Sequence, residues 1–185
     1  APACLLYTSG SAGRPKGVLA THRGAVNHCQ WLWDTYPFAP GEVVACKTSL
    51  NFVDAVVEMF APLLRGVPLA LIPEDVVGDP ARFVDALARH GVTRLLLLPA
   101  LLRALLERVP NLGARLPRLR LLAFSGEALD AGLLAQALAA LPGVTLLNWY
   151  GSSEVAGDVT AFDCADPRPP DAVPLGRPLS NTQVY

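Results

Sequence analysis

Short apolar runs alternate with segments of helical period along almost the whole chain, and no other feature restricts the fold as much. CLLYT (4–8), EVVACK (42–47), VPLALI (67–72), VTRLLLL (92–98), LRLLAF (119–124) and VTLLNWY (144–150) read as strands. RGAVNHCQWLWDTY (23–36), VDAVVEMFAPLLRG (53–66), DPARFVDALARHG (79–91), PALLRALLERV (99–109) and DAGLLAQALAAL (130–141) read as helices. In the third helix Asp79 is a cap, Pro80 a first-turn residue and Gly91 a stop. Such alternation builds βαβ units and a mostly parallel sheet. Strands as apolar as LLLL and LALI need cover on both faces. The expected fold is therefore α/β, with layered, parallel-rich sheets flanked by helices. Ligands in such sheets bind beyond the carboxyl ends of strands. A site is expected in the loops after residues 8, 124 and 150, each of which follows a predicted strand. DPRPPDAVP (166–174) reads as a loop and NTQVY (181–185) as a further strand-like stretch.

Composition removes several function classes. The chain has 185 residues, enough for one domain or part of one, and 52% of them are hydrophobic. Fifteen basic residues face 16 acidic ones, which gives no electrostatic argument for nucleic acid or an anionic membrane as partner. The longest apolar run, Leu95 to Leu102, is far short of the roughly 20 residues of a membrane span. Cys4, Cys29, Cys46 and Cys164 have irregular spacing and read as free thiols of a reducing cytoplasm. His22, His28 and His90 lack metal-ligand spacing, with His22 expected at an exposed helix start. Arg115, Arg118 and Arg120 read as a solvated basic edge. No GxSxG nucleophile elbow occurs. The chain starts without Met in one strand-like stretch and stops in another, so it reads as a piece cut from a longer protein.

The loop after residue 8, TSGSAGRPKG, is rich in phosphate-binding groups. A Walker loop needs GxxxxGK followed by Ser or Thr and a helix launched at the Lys. Here Gly10, Gly13 and Lys16 are spaced G-xx-G-xx-K, and Pro15 and Gly17 flank the Lys. Both discourage a helix, so the chain is expected to return as a strand, VLAT (18–21). Glycine N–H groups, the hydroxyls of Thr8, Ser9 and Ser11 and the Lys16 ammonium can still surround polyphosphate.

YTSGSAGRPKG resembles the signature loop of AMP-forming adenylating enzymes: acyl-CoA synthetases, luciferases and the adenylation domains of nonribosomal peptide synthetases. Ala12 stands where that loop usually has a hydroxyl residue. FSGEAL (124–129) resembles the adenine-side loop, NWYGSSE (148–154) the N-x-Y-G-x-T/S-E motif, and LGRPLSNTQVY (175–185) the segment that follows in peptide-synthetase adenylation domains. The resemblance implies that the chain is the central part (1–185) of such a domain, within its large N-terminal subdomain and without the small C-terminal one. The piece alone is then expected to be nearly inactive. The resemblance further implies that Thr8, Ser9, Gly10, Ser11, Gly13 and Lys16 embrace the β- and γ-phosphates of ATP. Gly126, Glu127 and Ala128 would lie along adenine, Asn148 at its edge, Tyr150 on its ring, Gly151 and Ser152 beside it and Ser153 on the α-phosphate. Glu154 would hold Mg²⁺. Thr8, Lys16 and Glu154 would carry the catalysis. The acyl group would pass to phosphopantetheine on a carrier domain.

By the same resemblance LNFVDAVVEMF (50–60) is the start of an acid-pocket helix. The residue after Phe52 is usually an Asp that pairs with an α-ammonium; here it is Val53, and Asp54 comes next. One residue is about 100° around a helix. The rest of the wall would be Val57, Leu96, Ala123, Ser125, Trp149, Gly157 and Asp158. Displaced acids suggest a displaced ammonium, as in β-alanine or a related β-amino acid. The alternatives make Asp54 the N-cap of its helix and Asp158 a solvated loop acid. Glu58 reads as structural. A stand-alone acyl- or aryl-CoA ligase and a non-catalytic nucleotide-binding relic remain as rival functions.

Overall fold

A computed structural model describes residues 1–8, 14–165 and 172–185. β1 (Pro2–Thr8) and β2 (Lys16–Thr21) form an antiparallel hairpin, so the chain does return as a strand after Pro15. α1 (His22–Thr35) follows directly, capped by Thr21, whose hydroxyl accepts from Gly24 N at 3.2 Å. Then come β3 (Val44–Cys46), α2 (Asp54–Leu63), β4 (Leu69–Leu71), α3 (Glu74–Val77), α4 (Pro80–Arg89), β5 (Arg94–Leu97), α5 (Pro99–Arg108) and α6 (Leu112–Arg115). β6 (Leu121–Phe124), α7 (Ala131–Ala140), β7 (Thr145–Ser152), a 3-10 turn at Ser153–Val155, β8 (Gly157–Asp163) and β9 (Arg177–Pro178) complete the described elements.

Seven strands form one sheet in the order β4-β3-β5-β6-β7-β8-β9. β4 through β7 are parallel, and β8 and β9 add antiparallel. Asp79 caps its helix as read, accepting from Ala81 N and Arg82 N, and Asp130 does the same for α7 by accepting from Leu133 N. Four expectations need correction. β8 and β9 extend the sheet past 150, because alternating polar residues concealed a strand that pairs with β7. The short α3 and α6 lie in stretches to which the sequence reading assigned no element. The second helix ends at Leu63 rather than 66, since Gly66 adopts φ +68 after Pro62. NTQVY is not a strand; Arg177 and Pro178 pair instead, and Asn181 (φ 57) lies in a turn.

Period-two alternation sorts the strand residues onto two cores. Leu95, Leu97, Leu122, Phe124 and Leu146 pack with Phe83, Leu87, Leu102, Leu105, Leu133 and Leu134 of α4, α5 and α7. Leu96, Leu121, Ala123, Leu147 and Trp149 pack on the other face with Cys29, Trp31 and Leu32 of α1 and Val57 and Ala61 of α2. Each large side chain so buried contributes about 1.5–3 kcal/mol. The sheet is thus covered on both sides, as its apolar strands require. The chain leaving α1 is tied to β5 by buried Arg94, which donates to Glu42 Oε2 at 2.7 Å and to the carbonyls of Tyr36 and Pro37 at 2.6 Å each.

Candidate active site

The hairpin brings the first and third loops together. Thr8 and Lys16 are partners across the β1–β2 register, and β2 packs against the 3-10 turn that carries Glu154. Glu154 is exposed, and its carboxyl is held below the ordinary range. The causes are its own backbone N–H first, then the Ser152 and Thr8 hydroxyls and the Lys16 charge. Thr8, Lys16, Ser152 and Glu154 therefore share one surface at the mouth of the hairpin. Ser9, Gly10, Ser11 and Gly13 lie outside the described residues. An ionised, exposed carboxylate beside hydroxyls suits a hard cation shared with phosphate oxygens. No group of three or more His, Cys, Asp and Glu that could cage a metal occurs among the described residues.

A cleft of about 270 Å³ opens beyond β6 and β7. Gly126, Glu127, Ala128, Asn148, Tyr150 and Gly151 all line it, so two predicted adenine-side loops meet there. The Tyr150 ring is half exposed. Asn148 is buried and donates Nδ2 to Pro174 O at 2.9 Å. Glu127 has a structural task as well: its Oε2 accepts from Ala100 N at 3.0 Å in the first turn of α5. At Gly151 the strands come so close that a Cβ would stand 2.0 Å from Gly157 O. A bulge in the β7–β8 register falls at the same point.

The opposite parity of β7 turns Trp149 into the other core, and the predicted acid-pocket residues gather around it. Val57, Leu96, Ala123 and Trp149 line an apolar cavity of about 40 Å³. Asp54, Leu96 and Ser125 line a wider groove of about 580 Å³. Val53 is buried beside Gly157. Val53 occupies the N-cap position of α2 without a side-chain bond, and Asp54 is the first helical residue, so Asp54 is not the cap. Asp158 is buried at 7% exposure, not solvated, and its Oδ1 accepts from Ser125 Oγ at 2.8 Å. Burial, and then the charge of Asp54, push the Asp158 carboxyl up to about 7. Burial, and then Glu58, raise Asp54, which Lys47 partly offsets. Glu58 is structural as read: its Oε2 accepts from Lys47 N and Thr48 N at 3.1 and 2.8 Å, and Lys47 Nζ stands 3.5 Å from Oε1.

One residue of this region escaped the sequence reading. His28 of α1 is buried, with Nε2 3.8 Å from Asp158 Oδ2. Its signal was helical spacing: His28, Trp31 and Leu32 share the buried stripe of α1. His22 and His90 are exposed. Arg118 and Arg120 are exposed and Arg115 half-buried; at this edge Arg115 pairs with Asp85 and Arg118 donates to Gly41 O at 2.8 Å. The four cysteines are free, three of them buried. No described helix is long and apolar enough to cross a membrane.

Comparison with known proteins matches this arrangement. The family model of the AMP-binding enzyme covers residues 1–185. The beta-alanyl-bioamine nonribosomal peptide synthetase ebony of Drosophila melanogaster is 42% identical over 194 residues, covering 99% of this chain and 22% of that protein. The phosphinothricin tripeptide synthetase PhsB of Streptomyces viridochromogenes is 41% identical over 99% of this chain and 15% of its own length. The fold is similar to the Vibrio cholerae adenylation domain AlmE in complex with glycyl-adenosine-5'-phosphate, with TM-score 0.86, 28% identity and coverage of 96% of this chain and 33% of that one. The chain thus spans less than a quarter of the length of these two curated relatives.

Proposed function

The chain belongs to the AMP-binding enzyme family, as part of an adenylation domain of the nonribosomal peptide synthetase type, and from that membership we propose that the full-length protein joins a β-amino acid, in the first place β-alanine, to AMP. The observation that carries this reading is the pair of carboxylates, half-buried Asp54 and buried Asp158, each raised by loss of solvent and the second raised further by the first. Lys47 is engaged with Glu58 and only partly offsets the rise of Asp54, and His28 is neutral, so the pair is not fully neutralised by the described side chains. A substrate ammonium seated between them relieves both costs at once. A plain carboxylic acid offers no such relief, which disfavours an acyl- or aryl-CoA ligase. Val53 in place of an acid, with Asp54 one residue later, suits a substrate with its ammonium displaced from the α position. The resemblance to a beta-alanyl-bioamine synthetase supports the same choice.

In the proposed reaction a carboxylate oxygen of the substrate bonds to the α-phosphorus of ATP, and the bond to the bridging oxygen breaks, releasing pyrophosphate. Thr8 and Lys16 stand where negative charge grows on the leaving group and stabilise it as fixed donors. Tyr150 stacks on adenine, and Asn148, with Nδ2 held by Pro174, presents Oδ1 as acceptor to its edge. Glu154 is the residue that would hold Mg²⁺, which supplies charge neutralisation to the phosphates when bound. The acyl group then passes to phosphopantetheine on a carrier domain, in a cytoplasm that keeps the cysteines reduced. ATP–pyrophosphate exchange by the full-length protein tests the substrate. β-Alanine is expected to be the best of β-alanine, glycine, α-alanine and propionate. Exchange with α-amino acids and none with β-alanine would overturn the choice.

A further inference from the structure

His28 is the one histidine that the fold buries, and it is polar on both edges without a partner. Neither ring nitrogen has a hydrogen-bond partner among the described residues. The ring is fixed by aromatic neighbours, edge-on to Trp149 at 5.5 Å and tilted on Trp31 at 5.9 Å. Gly157 makes room for it: a Cβ there would stand 3.2 Å from Nδ1, at a backbone φ of +119. The other nitrogen, Nε2, faces Asp158 Oδ2 at 3.8 Å, beyond hydrogen-bond length. Asp158 Oδ1 is already bonded to Ser125, so Oδ2 is the oxygen left for a ligand. A buried donor without a partner costs free energy, and only a small shift of carboxylate or ring closes this gap.

Resting on the amino-acid reading of the pocket, we propose that His28 is a positioning residue for substrate choice: its Nε2–H, aimed at Asp158 Oδ2, keeps that carboxylate ionised and turned to the substrate's ammonium. The contact is not an ion pair. Burial pushes the imidazole down to about 4, so the ring is neutral at pH 7 and carries one N–H. That proton is favoured on the nitrogen that faces the carboxylate. The other groups acting on Asp158 are Ser125, just after β6, and Asp54 on α2; Asp54 is itself faced by Glu58 and Lys47. Ser125 favours the anion, whereas burial and Asp54 oppose it and bring the carboxyl up to about 7. One donor more or less therefore decides, near neutral pH, how much of Asp158 can pair with an ammonium.

The test is the pH dependence of KM and kcat for β-alanine in ATP–pyrophosphate exchange by the full-length protein. KM of the wild type should fall as pH rises through neutrality. His28→Phe should move that fall upward by about one pH unit and raise KM about fivefold at pH 7, with kcat little changed. His28→Gln places an amide donor near the Nε2 position and should restore the wild-type profile. His28→Asn, whose donor reaches only the Nδ1 position, should behave like Phe and keeps the comparison open if Phe does not fold. A His28→Phe or His28→Asn profile that coincides with wild type would overturn the proposal while leaving the amino-acid reading intact. Failure of the wild type to activate any amino acid would overturn that reading, and this proposal with it.

Discussion

Burial acts on Asp158 and His28 with opposite consequences for stability. Asp158 rises from 3.8 to about 7, so the folded chain keeps a proton that the unfolded chain loses. Its contribution is present below about pH 4 and lost as pH rises through about 7. His28 falls from 6.5 to about 4, so its contribution is present above pH 6.5 and lost as pH falls through about 4. Between about pH 4 and 6.5 the two slopes oppose, and the wild type should show a shallow pH dependence there. Asp158→Asn removes one slope. Urea unfolding of that variant should gain about 1–3 kcal/mol on going from pH 4 to 6.5, with the decline toward pH 8 reduced. A curve parallel to wild type would show that Asp158 is not protonated in the fold.

Individual elements show what sequence can and cannot disclose. The strands and caps were legible because LLLL, LLAF and the Asp-Pro start of α4 carry their signals locally. The face each residue takes was not legible, since period two is the same for both faces and pairing decides between them. That parity is what separates the candidate site: Trp149 enters the α1–α2 core while Asn148 and Tyr150 line the cleft beside Gly126. β8 was missed because GDVTAFD mixes Asp and Thr with its apolar residues, and its buried polar groups find partners only in the fold. Asp158 meets Ser125, and Thr160 donates to Leu175 O at 2.6 Å. His28 was missed because its meaning depends on Asp158, 130 residues away by number (158 minus 28). Two predictions belong to this scale. Gly151→Ala forces β7 and β8 apart where a Cβ meets Gly157 O, and should cost at least about 2 kcal/mol in urea unfolding and distort the cleft lined by Asn148 and Tyr150. Arg94→Ala leaves Glu42 buried without its partner and frees two carbonyls, and should cost about 3–5 kcal/mol; a loss under about 1 kcal/mol would contradict that account.

Across the whole molecule, one strand divides the two chemical tasks. The cleft beside β7 and the hairpin mouth collect groups suited to nucleotide and phosphate, whereas α1, α2 and β8 contribute two acids and a neutral imidazole. The family and the phosphate end were legible because glycines, Pro15, Lys16 and Glu154 lie in contiguous motifs. The acid side is assembled from five separated segments, so sequence offered only a resemblance for it, and the raised carboxylates became visible in three dimensions. In the proposed function Asp54 and Asp158 hold a substrate ammonium. Its most direct measurement is the ratio of kcat/KM for β-alanine to that for propionate in ATP–pyrophosphate exchange, before and after Asp54→Asn in the full-length protein. The wild type should prefer β-alanine by about 100-fold or more, and the variant by no more than about tenfold. An unchanged preference in a folded Asp54→Asn protein would contradict the account.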